Sequence, residues 1–136
     1  MPPILVNGTP NNDTINRTGD IGNYVIDGGA GNDTLYGGVF DDTLLGGTGN
    51  DSLYGNGGDD SIDAGAGNDK VYVSDIDGND TLIGGAGNDF LELDRSTHDT
   101  QFNVTFDAGT PGLIQLADGT EFSGFEQVYF YAGNAD

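Results

Sequence analysis

Between Gly8 and Glu92 an apolar residue returns every nine positions, interrupted only by the two-residue insertions Arg17–Thr18 and Val73–Ser74. The series runs Ile15, Ile26, Leu35, Leu44, Leu53, Ile62, Val71, Leu82 and Leu91. Most are flanked by polar or aromatic residues, as in Thr34-Leu35-Tyr36. That alternation suits a short strand with one side chain inward and its neighbours outward. Ahead of each strand lies a glycine-rich stretch such as Gly28-Gly29-Ala30-Gly31. Glycine reaches positive φ without steric cost, so the chain can reverse there. Two repeats, eighteen residues, then form one coil of turn, strand, turn, strand. Coils stack about 4.8 Å apart, the spacing of neighbouring strands. The chain is read as all-β, with nine such repeats forming a coil over residues 1–92.

Beyond Glu92 the period is lost. Strand-like runs occur at Gln101–Phe106, Gly112–Ala117 and Phe125–Tyr131, with turns at Asp107–Gly112 and Asp118-Gly119. A stack of strands has open ends that invite edge pairing. Residues 93–136 are therefore read as a C-terminal β cap, with an independent domain as the alternative. Tyr131–Asp136 resembles the opening of another repeat, so the chain is expected to be part of a larger polypeptide.

The charge balance narrows the function. Twenty-three acidic residues face three basic ones, Arg17, Lys70 and Arg95, a formal net charge of −20. This argues against nucleic acid or an anionic membrane as partner and in favour of cations. No apolar run reaches the roughly 18 residues of a membrane helix. Met1-Pro2-Pro3 is too short and uncharged to be an export signal. Without cysteine there is no disulfide framework.

The acids are placed by the repeat. Position six is aspartate in eight copies and Tyr24 in the ninth. Coiling puts Asp13, Asp33, Asp51, Asp69 and Asp89 on one edge, here the odd edge. Tyr24, Asp42, Asp60 and Asp80 fall on the other, the even edge. Carboxylates about 5 Å apart repel by roughly 1 kcal/mol in water and roughly 3 kcal/mol at an effective dielectric of about 20. A hard cation between rungs reverses that sign. Calcium accepts six to eight oxygens in flexible geometry, including backbone carbonyls. Zinc prefers nitrogen and sulfur, and His98 is the lone histidine. About five to six calcium ions are expected, three or four on the odd edge and about two on the even edge. The Tyr24–Asp42 gap is expected to be weak or empty. Metal binding and folding are expected to be one event.

The phrases GGAGND, GGTGND, AGAGND and GGAGND, starting at residues 28, 46, 64 and 84, resemble the repeat of RTX, or hemolysin-type calcium-binding, proteins. The likeness is strong over 28–72 and 84–92, with substitutions over 8–27 and 73–83. It implies a right-handed parallel β-roll with calcium between neighbouring turns. The implied ligands are the aspartates Asp13, Asp33, Asp42, Asp51, Asp60, Asp69, Asp80 and Asp89 with loop carbonyls, assigned to Gly29, Gly31, Gly47, Gly49, Gly65, Gly67, Gly85 and Gly87. The likeness also implies bacterial type I secretion, folding outside the cell and a secreted or cell-surface location. A module that stabilises or spaces neighbouring domains is the reading adopted.

Other features point less sharply. Tyr36, Tyr54 and Tyr72 stand at position nine of alternate repeats and should form an outward ladder. That ladder is either cross-strand packing or a platform for polysaccharide, which makes a carbohydrate-binding accessory module the alternative function. Position three on the odd edge is Pro10, Ala30, Thr48, Ala66 and Ala86, a poor threonine array for ice binding. His98 has Asp94 and Asp99 nearby but no nucleophile motif, so no enzyme activity is expected. Paired acids such as Asp41–Asp42 and Asp59–Asp60 are in register with the repeat and are read as metal ligands, not a glycosidase pair.

Overall fold

The computed structural model describes residues 1–74, 78–95, 104–106, 112–116 and 119–132. Ten short strands follow one another: β1 (Ile4–Asn7), β2 (Thr14–Asn16), β3 (Tyr24–Ala30), β4 (Thr34–Tyr36), β5 (Thr43–Thr48), β6 (Ser52–Tyr54), β7 (Ser61–Asp63), β8 (Lys70–Ser74), β9 (Thr81–Ile83) and β10 (Phe90–Arg95). Then come β11 (Val104–Phe106), β12 (Ile114–Leu116), β13 (Glu121–Ser123) and β14 (Gln127–Ala132). Among the described residues there is no helix, and so none long and apolar enough to cross a membrane.

Successive strands alternate between two sheets. One has the order β1-β3-β5-β7-β9-β13-β12-β11 and the other β14-β10-β8-β6-β4-β2. Every pairing in the repeat region is parallel. Leu35 pairs with Leu53, eighteen residues on, and Ile62 with Leu82, twenty on. The period of one coil is therefore two repeats, and a two-residue insertion lengthens a coil without shifting its register. The chain is a parallel β-roll, the fold that the resemblance implied.

The position-eight side chains fill the space between the sheets. Ile26, Leu35, Leu44, Leu53, Ile62, Val71, Leu82 and Leu91 are all at most 1% exposed, which makes a one-residue-wide core. Ile15, in the end strand β2, is only partly buried. Val73 and Leu93 also point inward, because β8 and β10 run on past the repeat. The strand β1 was not anticipated. Its register, Ile4 with Tyr24 and Val6 with Ile26, makes residues 4–7 the strand half of a further repeat. Ile4 stands there in place of the aspartate, which hid the homology.

On the outer face, Tyr36 stacks on Tyr54 at 4.5 Å between centroids and Tyr54 on Tyr72 at 4.7 Å, with interplanar angles of 12° and 7°. Phe90 and Tyr129 continue the row in tilted contacts. Each tyrosine thus covers the faces of its neighbours.

After β10 the chain adds three strands to the first sheet and one to the second, each sheet growing by one parallel strand. The strand β13 pairs in parallel with β9, and β14 with β10. The antiparallel pairs β11–β12 and β12–β13 complete the first sheet. Phe122 is 1% exposed and extends the core column past Leu82. Asp75–Asp77, His98, Asp99, residues 101–103, most of the Asp107–Gly112 turn, Ala117, Asp118 and residues 133–136 lie outside the described residues.

Candidate metal centre

Seven loops close with a position-six aspartate that points into the turn instead of out to water. The residues Asp33, Asp42, Asp51, Asp60, Asp69, Asp80 and Asp89 are all at most 3% exposed. One oxygen of each carboxylate on the odd edge has a defined partner. The amide N–H of Asp13 donates to Asp33 Oδ1 (2.7 Å), that of Asp33 to Asp51 (2.8 Å), that of Asp51 to Asp69 (2.8 Å) and that of Asp69 to Asp89 (2.9 Å). The even edge repeats the pattern from Tyr24 to Asp42 (2.7 Å), Asp42 to Asp60 (2.9 Å) and Asp60 to Asp80 (3.0 Å). Backbone amides therefore hold the acidic column in register.

The second oxygens differ. The Oδ2 atoms of Asp33, Asp51, Asp69 and Asp89 are buried and accept no hydrogen bond. A buried anionic oxygen without a donor costs several kcal/mol unless a cation meets it. The glycine at position one leaves room beside it. A Cβ on Gly28 would lie 2.5 Å from Asp33 Oδ2 and 2.8 Å from Gly46 O of the next coil. On Gly46 it would lie 2.7 Å from Asp51 Oδ2 and 2.3 Å from Ala64 O. A carboxylate oxygen that accepts no hydrogen bond and a main-chain carbonyl thus both lie against the position-one glycine, where any side chain would collide with them. Among the described residues no three acidic or histidine side chains cluster into a ready-made cage. A cation there would draw on carboxylate and main-chain oxygens together, a donor set that suits calcium.

Sequence reasoning assigned the carbonyls to positions two and four. The structure also places the position-one carbonyls of Gly46 and Ala64 against the position-one glycine of the preceding coil, 2.8 Å and 2.3 Å from where a Cβ on Gly28 or Gly46 would sit. Several position-two carbonyls are engaged in a ladder across the loops: Gly47 O accepts from Ala66 N and Gly65 O from Ala86 N, each at 2.9 Å. That ladder requires the positive φ of Gly47, 99°, where a Cβ would meet Gly29 O at 2.1 Å.

Two places are already satisfied by protein donors. Thr9 donates its N–H and its hydroxyl to Asp13 Oδ2. Gly38 N–H donates to Asp42 Oδ2. Beside Asp42, Tyr24 replaces the aspartate and its hydroxyl donates to Asp20 (3.3 Å). The guanidinium of Arg17, from the first insertion, lies 5.6 Å from the Tyr24 ring centre and 3.9 Å from Asp20. The first even gap thus carries a fixed side-chain cation nearby.

A second ladder escaped the sequence reading. The amide N–H of Asn32 donates to Asn12 Oδ1, Asn50 to Asn32, Asn68 to Asn50 and Asn88 to Asn68, all at 2.8–2.9 Å. On the even edge Asp59 donates to Asp41 (3.0 Å) and Asn79 to Asp59 (2.9 Å). Asp41 and Asp59 act here as inter-loop acceptors. The recurrence of asparagine at position five was the available signal.

Electrostatics agrees with an unmet need for positive charge. Burial raises the Asp69 carboxyl to about 6; the N–H of Asp51 opposes this, while the Asp51 and Asp89 carboxyls add to it. Burial raises Asp42, Asp51 and Asp89 as well.

The family model of the RTX calcium-binding nonapeptide repeat (4 copies) matches residues 7–44, 36–71 and 77–95, more than half of the chain. The protein belongs to the RTX repeat family. No curated protein and no solved structure gives a match. RTX membership and the orphaned oxygens converge on the same loops, so this is a calcium-binding repeat module.

Proposed function

We propose that the chain is a structural module of an exported protein, in which calcium binding drives folding of the roll and so stabilises or spaces its neighbours. Residues 1–92 form the binding roll and 93–136 the cap. The observation that carries this reading is the row of buried, donor-less oxygens on Asp33, Asp51, Asp69 and Asp89. These four with the position-one and neighbouring loop carbonyls would hold the odd-edge ions, and Asp60 and Asp80 those of the even edge. The Tyr24–Asp42 gap takes none, since Tyr24 brings no carboxylate and the Arg17 guanidinium lies against its ring. About five to six ions remain the expected number. Bound calcium would neutralise adjacent carboxylates and tie two coils together. Extracellular calcium is the natural trigger, because outside the cell a module works at affinities of about 10⁻⁴–10⁻³ M.

A structural role without catalysis accords with the site. Its acids are turned toward main-chain donors and carbonyls, not into a substrate cleft. The tyrosine row supports packing over a sugar platform, because its ring faces are turned on each other. Isothermal titration with calcium tests the main reading: several ions bound with a concurrent gain of β-structure support it, and no binding at millimolar calcium refutes it. Glycan-array binding abolished by Tyr54→Ala would favour the polysaccharide reading instead.

A further inference from the structure

The odd-edge column does not end with the repeats. Asp89 N–H donates to Glu126 Oε2 at 2.7 Å, as each earlier aspartate amide donates to the next aspartate. Gln127 N–H donates to Asp89 O at 3.1 Å, as Phe90 N–H does to Asp69 O at 2.9 Å. Gly84 N–H donates to Ser123 O, as Ala64 N–H does to Ile83 O. Ser123, Gly124, Glu126 and Gln127 therefore take the places of positions nine, one, six and seven, and Phe125 alone spans the rest of the turn. Nothing in the local sequence resembles GGxGxD, and the family match stops at residue 95.

This abbreviated turn rebuilds the features that mark the repeat loops. A Cβ on Gly84 would lie 2.1 Å from Gly124 O and 3.0 Å from Asp89 Cβ, so a position-one carbonyl again crowds this glycine, here beside the Asp89 methylene. Gly124 has φ 73°, which frees it to turn. Asp89 is 1% exposed and its Oδ2 has no hydrogen-bond partner. A second carboxylate, Glu126, closes the gap from the cap side. One methylene longer than aspartate, it reaches the column from a turn three residues shorter than a repeat loop.

We infer that Asp89, the Gly124 carbonyl and Glu126 form an additional calcium site, between the last repeat loop and the cap. It rests on the reading of the loops as calcium sites. The cap is then held by an ion as well as by the pairings of β13 and β14, and its docking depends on calcium.

Glu126→Gln keeps an acceptor for the Asp89 amide and removes the charge. In native mass spectrometry of the full chain with calcium, the variant should retain the β circular-dichroism signal and carry one ion fewer than the parent. An unchanged ion count overturns the site. If the variant fails to fold, anomalous scattering from calcium-loaded crystals of the parent chain decides. A peak within bonding distance of Gly124 O and Glu126 supports the site, and peaks confined to the earlier loops overturn it. Failure of every loop to bind would instead overturn the calcium reading as a whole.

Discussion

Leu53→Ala probes whether the thin core and the ions share one equilibrium. Leu53 is fully buried in the middle of the column, paired with Leu35 on one side and Val71 on the other. Neighbouring strands are fixed by their ladders and cannot collapse onto the gap, so the truncation should cost about 3 kcal/mol. If about five ions bind only the folded chain, that cost is spread over their binding free energies. At 1.36 kcal/mol per decade, the calcium midpoint should rise about threefold. Coupling to a single ion would instead raise it by about two decades. The assay is the far-UV circular-dichroism signal followed against free calcium for both chains. An unmoved midpoint in a variant that is less stable to urea would refute the coupling.

Gly47→Ala places a Cβ 2.1 Å from Gly29 O at a φ of 99° and should cost about 2 kcal/mol or more, whereas Gly57→Ala, whose nearest neighbour is 3.7 Å away, should be tolerated; thermal melts in calcium compare them. Asn50→Ala removes the acceptor of the Asn68 amide at an exposed loop and should cost up to about 1 kcal/mol, read by urea unfolding in calcium. Acidity should act oppositely with and without metal. Because Asp69 is raised to about 6 in the fold, and Asp42, Asp51 and Asp89 are raised too, protonation favours the metal-free roll; that stability is present below the ordinary carboxylate value and is lost as pH rises through about 6. The metal-free β signal should be stronger at pH 5 than at pH 7.5, while the calcium midpoint should rise on acidification; a metal-free signal that weakens toward pH 5 would contradict the assignment.

The roll was legible because one residue type recurs at each role. Position eight gave the core, and the eighteen-residue coil placed the aspartates in two columns. The close approach of each position-one carbonyl to the glycine of the preceding coil was not legible, because it depends on loop dihedrals, not on residue type. The asparagine ladder was visible as composition, but its repeated Asn-Asp phrase was read only through the aspartate. Ile4 and Glu126 were hidden for a related reason. Each occupies a repeat position through backbone register, without the GGxGxD phrase that announces one. The stacking of Tyr36, Tyr54 and Tyr72 follows from in-register parallel strands about 4.8 Å apart, which leave a planar ring little choice but to lie on its neighbour.

The decisive measurement is far-UV circular dichroism of the whole chain at neutral pH, first in excess chelator and then with calcium restored. Loss of the β signal in chelator and its return with millimolar calcium is the expected result. The same spectrum and the same melting temperature in both conditions would show that the buried carboxylates need no ion.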